Sequence, residues 1–259
     1  MADEVRTGLQ SVSRALRALE LIADAGELGV TELSRRLDVH KATASRLAAT
    51  LADHGLIERN PITGRYRLGF GLIRLAGAAI ASLDVVRAAR PVLEELAEAT
   101  RETVNLGLLS GDDVVYIDQV TGGRSILSAS WVGRRTALHC SASGKVLLAF
   151  MSEPERERQL ERTPARMTPN TLVDPQALRA QLEEIRVRGY GQIEGELEEG
   201  LNAVAAPIRQ ADGQVSATLS VSGPAFRLRS TDLPRIGRLA IDAATAVSRR
   251  LGHSSRRAD

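Results

Sequence analysis

The stretch TELSRRLDVHKATASRLAATLADHGLIERNPITGRYRL, residues 31–68, constrains the fold more than any other part of the chain. Its pattern predicts a short helix, a tight turn, a second helix, and two strands joined by a basic loop. The Thr31 hydroxyl is placed to cap the free amides of the first helix, and Leu33 and Leu37, four apart, share one face. Asp38-Val39-His40 suits a turn, because Asp tolerates turn geometry and Val39 can plug the space between helices. The second helix is expected from Lys41 to His54, ending at Gly55. On it Ala44, Leu47, Ala48 and Leu51 cluster on one side. The opposite side carries Ala42, Ser45, Arg46 and Ala49, with Lys41 and Thr50 at its margins. Small polar residues beside one long cation let a helix approach base edges in a major groove. The alternative is that Lys41 and Arg46 are ordinary solvated charges.

Leu56–Arg59 and Tyr66–Leu68 are expected to pair, with Pro61 and Gly64 supplying turn geometry to the loop between them. Arg59, Arg65 and Arg67 make this hairpin cationic. Residues 31–74 hold eight Arg or Lys against four Asp or Glu, whereas the whole chain is close to neutral at +2. Positive charge is therefore concentrated on one segment, the footprint of a surface that meets phosphates. Together these features predict a winged helix-turn-helix whose candidate DNA-binding residues are Lys41, Ala42, Thr43, Ser45, Arg46, Arg59, Arg65 and Arg67.

The 259 residues suffice for two modest domains. Hydrophobic content of 43% and charged content of 25% are ordinary for a globular protein, and no apolar run approaches 18 residues, so no membrane contact is expected. The opening MADEVRTGLQ lacks the apolar core of a secretory signal. The single cysteine, Cys140, permits no internal disulfide, which makes a reducing cytoplasm the natural compartment.

Upstream, Ser11–Ala25 is expected to be a helix with Val12, Ala15, Leu16, Leu19 and Ile22 inward. Downstream, Phe70–Leu83 is apolar on several faces and too short for a membrane, so a linker helix packed on a twin from another subunit accounts for it. From Asp84 onward helices and strands alternate. Helices are expected over Val85–Glu98, Ser143–Met151, Pro175–Gly189 and Asp232–Leu251. The last of these turns Ile236, Leu239, Ala243 and Val247 inward. Strands are expected over Thr103–Leu109, Val114–Val120, Ile126–Trp131, Ala203–Arg209 and Val215–Ser222. One antiparallel sheet flanked by helices packs them economically, an α+β arrangement.

The loop His139–Lys145 (HCSASGK) runs into a helix start, where Ser141, Ser143 and free amides can receive an anionic oxygen. Ser220 and Ser222 share one strand face, as alternate strand residues do, and suit a polar ligand. The alternative is that these serines cap or hydrogen-bond locally. Trp131 is a further candidate lining residue, although a lone Trp at a strand end is more often core. No catalytic residue, cofactor or metal is expected. His139 and Cys140 are adjacent and point apart; a phosphate loop would need Gly at 139; Ser-x-x-Lys would need Ser at 142. There is no HExxH or CxxC. The acidic run Glu194, Glu196, Glu198 and Glu199 is expected to be a solvated loop.

SVSRALRALELI, the residue 31–68 motif with its YRLG, LHCSASGKVLLA, and EEGLNAVAAPIRQADGQVSATLSVSGP occur in this order. With them the chain resembles the IclR (isocitrate lyase regulator) family of bacterial transcription regulators over nearly its whole length. The resemblance implies a winged helix-turn-helix (1–69), a linker helix (70–83) and a GAF-like effector-binding domain (84–252); the tail HSSRRAD (253–259) is expected from its composition to be disordered. It implies homodimers or homotetramers on palindromic or near-palindromic double-stranded operators, and a small-molecule effector, frequently a carboxylate or aromatic acid. It allows repression and activation alike. Effector contacts carry over to Ala142, Ser143, Leu201, Ala203, Ser220 and Ser222. Ala203 stands where some members have a polar or thiol side chain, and Ile193 where some have an acid, which favours a ligand bulkier and more apolar than glyoxylate. The competing reading is a ligand sensor that acts through protein partners rather than DNA.

Overall fold

The computed structural model describes residues 10–81, 83–123, 130–162 and 164–254. The chain forms two compact units, residues 1–82 and 83–259.

The first unit contains α1 (Gln10–Ala25), α2 (Val30–Arg36), α3 (Lys41–Asp53), the hairpin β1 (Ile57–Arg59) and β2 (Tyr66–Leu68), and α4 (Phe70–Ala81). Its core joins Ala18, Leu21 and Ile22 of α1 to Leu28, Leu33, Ala48, Leu51 and Ile57. The inward face of α1 differs from the expected one. Val12 and Leu16 are 52% and 58% exposed, because the first turns of α1 run past this small core. They line an open apolar groove against Leu47 and Thr50 of α3 instead. The cap of α2 also differs. Gly29 occupies the N-cap with no side-chain bond, and Thr31 lies inside the first turn, where its carbonyl accepts from the Ser34 hydroxyl at 2.9 Å. Asp38 makes the turn with φ +50, and Gly55 ends the second helix at φ +68, a conformation Gly adopts without a Cβ penalty. Leu28 bridges to Tyr66 and adds a third backbone segment to the hairpin.

The second unit contains α5 (Asp84–Thr100), β3 (Thr103–Ser110), β4 (Asp113–Thr121), β5 (Arg135–Ala137), α6 (Ala142–Phe150), α7 (Glu153–Leu160), α8 (Pro175–Arg188), β6 (Gly191–Glu194), β7 (Leu201–Arg209), β8 (Val215–Pro224) and α9 (Leu233–Arg250). Its six strands form one antiparallel sheet in the order β5-β4-β3-β8-β7-β6. Alternation sorts each strand. Val104, Leu106, Val204, Ala206, Leu219 and Val221 pack with α5 and α9. Val114, Tyr116, Ala203 and Ala205 face α6 and α8. In α9, Ile236 and Val247 are buried, and Leu239 and Ala243 pack partly buried against the same core.

Of the strand expected over Ile126–Trp131, residues 126–129 lie outside the described residues, and Ser130 and Trp131 are not in a strand. Among the described residues the edge strand beside β4 is β5, with Val114 opposite Thr136. Of the expected disordered tail, residues 255–259 likewise lie outside the described residues, while the His253 amide donates to the Ser248 carbonyl.

Candidate functional site

The sequence places two sites, one on each unit. On the first, α3 begins at His40, whose ring accepts from the Ala42 amide at 3.3 Å. Ala44, Ala48 and Leu51 are buried, so Lys41, Ala42, Ser45, Arg46 and Ala49 are exposed on the other side; Thr43 is half-buried at the boundary. Neither Lys41 nor Arg46 has an ion-pair partner among the described residues. The hairpin arginines differ. Arg59 donates from Nε to the Gly64 carbonyl at 3.0 Å, Arg65 pairs with Glu32 at 2.9 Å, and Arg67 pairs with Glu58 at 2.7 Å. Their charge is partly matched within the chain, which leaves α3 as the more open source of positive potential.

The wing loop is held from outside itself. Glu27 accepts from Asn60 Nδ2 at 2.7 Å and from the Thr63 hydroxyl at 3.1 Å, while Asn60 Oδ1 accepts the Ile62 amide. The Asn60 hydrogen bond holds the Glu27 carboxyl below its ordinary range. Glu27 lies outside the motif in sequence, and only the tertiary contact shows its role.

On the second unit, the α6 start and the sheet enclose a small cavity. Ser141, Ala142, Leu201, Ala203, Ser220 and Ser222 line it, together with Asn105, Tyr116, Trp131, Ile193 and Leu197. Ser143 is fully buried and does not line it. The Ser141 hydroxyl caps α6: it accepts from the Gly144 amide at 3.1 Å and donates to the Ala137 carbonyl at 3.1 Å. It is thus committed locally, as the alternative sequence reading had it. The amides of Ala142 and Ser143 have no acceptor among the described residues. Such amides at a helix N-terminus favour an anionic oxygen.

Among the described residues, no charged side chain lines the pocket wall. Trp131 joins the wall and meets Tyr116 edge-on at 5.8 Å. Burial pushes the Tyr116 phenol above its ordinary value, so it stays a neutral donor.

Residues 11–61 match the family described as the IclR helix-turn-helix domain. Residues 77–249 match the bacterial transcriptional regulator IclR C-terminal family. The chain belongs to the IclR family. It is 36% identical over 247 residues to the HTH-type transcriptional regulator XynR of Escherichia coli, covering 95% of this chain and 98% of that one. It is 38% identical over 242 residues to BhcR of Paracoccus denitrificans, covering 93% and 87%. A Microbacterium hydrocarbonoxydans IclR homolog, solved in complex with 4-hydroxybenzoate, superposes with a TM-score of 0.82 at 28% identity, covering 94% of this chain and 98% of that one. This IclR-family chain is accordingly a DNA-binding transcriptional regulator with a small-molecule effector.

Beside the pocket of this regulator lies an ion pair absent from the sequence reading. Lys145, fully buried on α6, donates from Nζ to both carboxylate oxygens of Glu196 at 2.6 Å. The expected solvated acidic run holds for Glu194, Glu198 and Glu199, which are exposed, and is corrected at Glu196, which is buried against Lys145 and whose carbonyl accepts from the Thr171 hydroxyl at 2.8 Å. This anchors the turn that carries Leu197 into the pocket wall. Burial lowers Lys145 while Glu196 opposes that shift. Cys140 is fully buried, and burial, followed by the Glu196 charge, pushes its thiol up to about 11. His139 is occupied with the Ala165 carbonyl at 2.8 Å. No cluster of three or more metal-ligating side chains occurs among the described residues, and no helix is long and apolar enough to cross a membrane.

Proposed function

We propose that residues 1–69 read an operator in double-stranded DNA, that 84–252 bind a small organic or aromatic acid, and that 70–83 couple the two. The supporting observation is the exposed face of α3, where small residues surround Lys41 and Arg46, neither ion-paired among the described residues. Lys41, Ala42, Thr43, Ser45 and Arg46 enter a major groove, and Arg59, Arg65 and Arg67 meet adjacent phosphates. The wing arginines exchange part of their internal pairing for phosphate contacts.

The effector lies against Ala142, Leu201, Ala203, Ser220 and Ser222, its carboxylate on the Ala142 amide at the α6 start. Ser141 and Ser143 shape that helix start. The 4-hydroxybenzoate in the structural relative supports an aromatic or comparably apolar acid here. The chain acts in the cytoplasm as a regulator; the buried Cys140 and the engaged His139 do not form a nucleophile and base.

The apolar surface of α4 is buried against a second copy. Phe70, Ile73 and Leu75 are 75%, 65% and 50% exposed in the single chain, more apolar area than an isolated surface helix carries. A homodimer, or a tetramer built from two, places two α3 helices in successive major grooves of a palindromic or near-palindromic operator. The effector shifts operator affinity only by binding two arrangements unequally. A mobility-shift titration on the promoter DNA next to the chain's own gene, with and without acids, tests this. Retarded DNA whose midpoint moves with an acid supports it, and an unretarded fragment at every concentration removes it.

A further inference from the structure

We propose that Asn105 sets the effector class: a monocarboxylic acid that also carries a hydroxyl or N–H group donating to the Asn105 carbonyl oxygen. This rests on the pocket being the effector site. Asn105 sits on β3, opposite Ser220 on β8, and is only 3% exposed. It lines the cavity. Its Nδ2 donates to the Ser222 hydroxyl at 3.3 Å, and its Oδ1 has no hydrogen-bond partner.

A buried acceptor without a donor is costly, and a ligand that supplies one removes that cost. A carboxylate offers only acceptors, so it cannot satisfy Oδ1. The carboxylate belongs at the Ala142 amide, which lines the cavity and lacks an acceptor among the described residues. Both ends of a hydroxy acid then find complementary groups. No charged side chain lines the wall among the described residues, which disfavours a second carboxylate there. The Trp131, Ile193 and Leu197 wall is apolar and suits an apolar ligand body. A site built around an internal acceptor discriminates strongly against the analogue lacking the donor.

The test is calorimetric titration of the full chain with 2-, 3- and 4-hydroxybenzoate against benzoate, and lactate against propionate. At least one hydroxy acid should bind about tenfold or more tighter than its deoxy partner. In Asn105→Leu that ratio should fall to near one while the deoxy acid still binds. Equal or tighter binding of the deoxy acid in every pair overturns the proposal, and is the result if the amide is reversed and presents Nδ2 to the ligand. A ratio that survives Asn105→Leu overturns it as well. If Asn105→Leu gives no cooperative melt, the wild-type pairs decide. Should no acid of either kind bind, the effector pocket itself fails and takes the proposal with it, an outcome distinct from equal binding.

Discussion

At the residue scale, what separates Arg46 from the wing arginines is that it has no ion-pair partner among the described residues. Arg46→Ala should weaken operator binding by about tenfold or more and reduce the salt slope by about one, measured by mobility shifts at several salt concentrations. Arg67→Ala should cost less, because the Arg67 guanidinium already shares its charge with Glu58. Lys145 and Glu196 form the costliest pair to break. Lys145→Met alone leaves a carboxylate buried and should destabilise the fold by about 3–5 kcal/mol in urea denaturation. Lys145→Met with Glu196→Leu should recover much of that loss, and a double variant no better than the single would contradict the pairing.

Cys140 gives a pH signature. Its folded thiol ionises near 11 rather than 9.0, so between those values the native state holds more protons than the unfolded one. Its contribution to stability is therefore complete below 9.0 and falls as pH rises toward about 11. Iodoacetamide at pH 8 should modify Cys140 only after unfolding. Of these residues, Ala42, Ser45 and Arg46 were legible because helical spacing alone decides a face. Asn105 and the Lys145–Glu196 pair were not, because their partners lie 117 and 51 residues away.

At the element scale, helices with clear spacing were read close to their observed bounds. Errors came where tertiary contacts decide: the face of α1, the cap of α2, and the edge strand β5. The three residues of β5 carry too little pattern to announce a strand, and they exist as one because β4 offers a free edge. The short α7 and β6 went unread for a similar reason. The α6 start depends on a close approach instead. A Cβ at Gly144 would lie 2.3 Å from the Leu138 carbonyl oxygen, so any side chain there pushes the helix off the strand end. Gly144→Ala should lower the melting temperature and abolish acid binding, yet leave operator binding by the first unit measurable. Tight acid binding by that variant would show that the α6 amides do not hold the ligand.

At the scale of the whole molecule, composition and charge distribution indicated two units and which of them meets DNA. Their coupling was not legible, because assembly depends on surfaces that a single chain leaves unpaired. Ile73→Asp places a charge on the exposed apolar face of α4. It should shift sedimentation toward monomer and weaken operator binding by about tenfold or more, since one recognition helix retains only half the contacts. An unchanged sedimentation coefficient would place the subunit interface elsewhere. The coupling between α3 and the pocket is tested most directly by a fluorescence-anisotropy titration of promoter DNA with wild-type and Arg46→Ala protein, each with and without the tightest-binding acid. The account predicts a wild-type midpoint that moves with the acid, and weak binding by Arg46→Ala in either condition. Wild-type affinity in Arg46→Ala, or a midpoint indifferent to a bound acid, would contradict it.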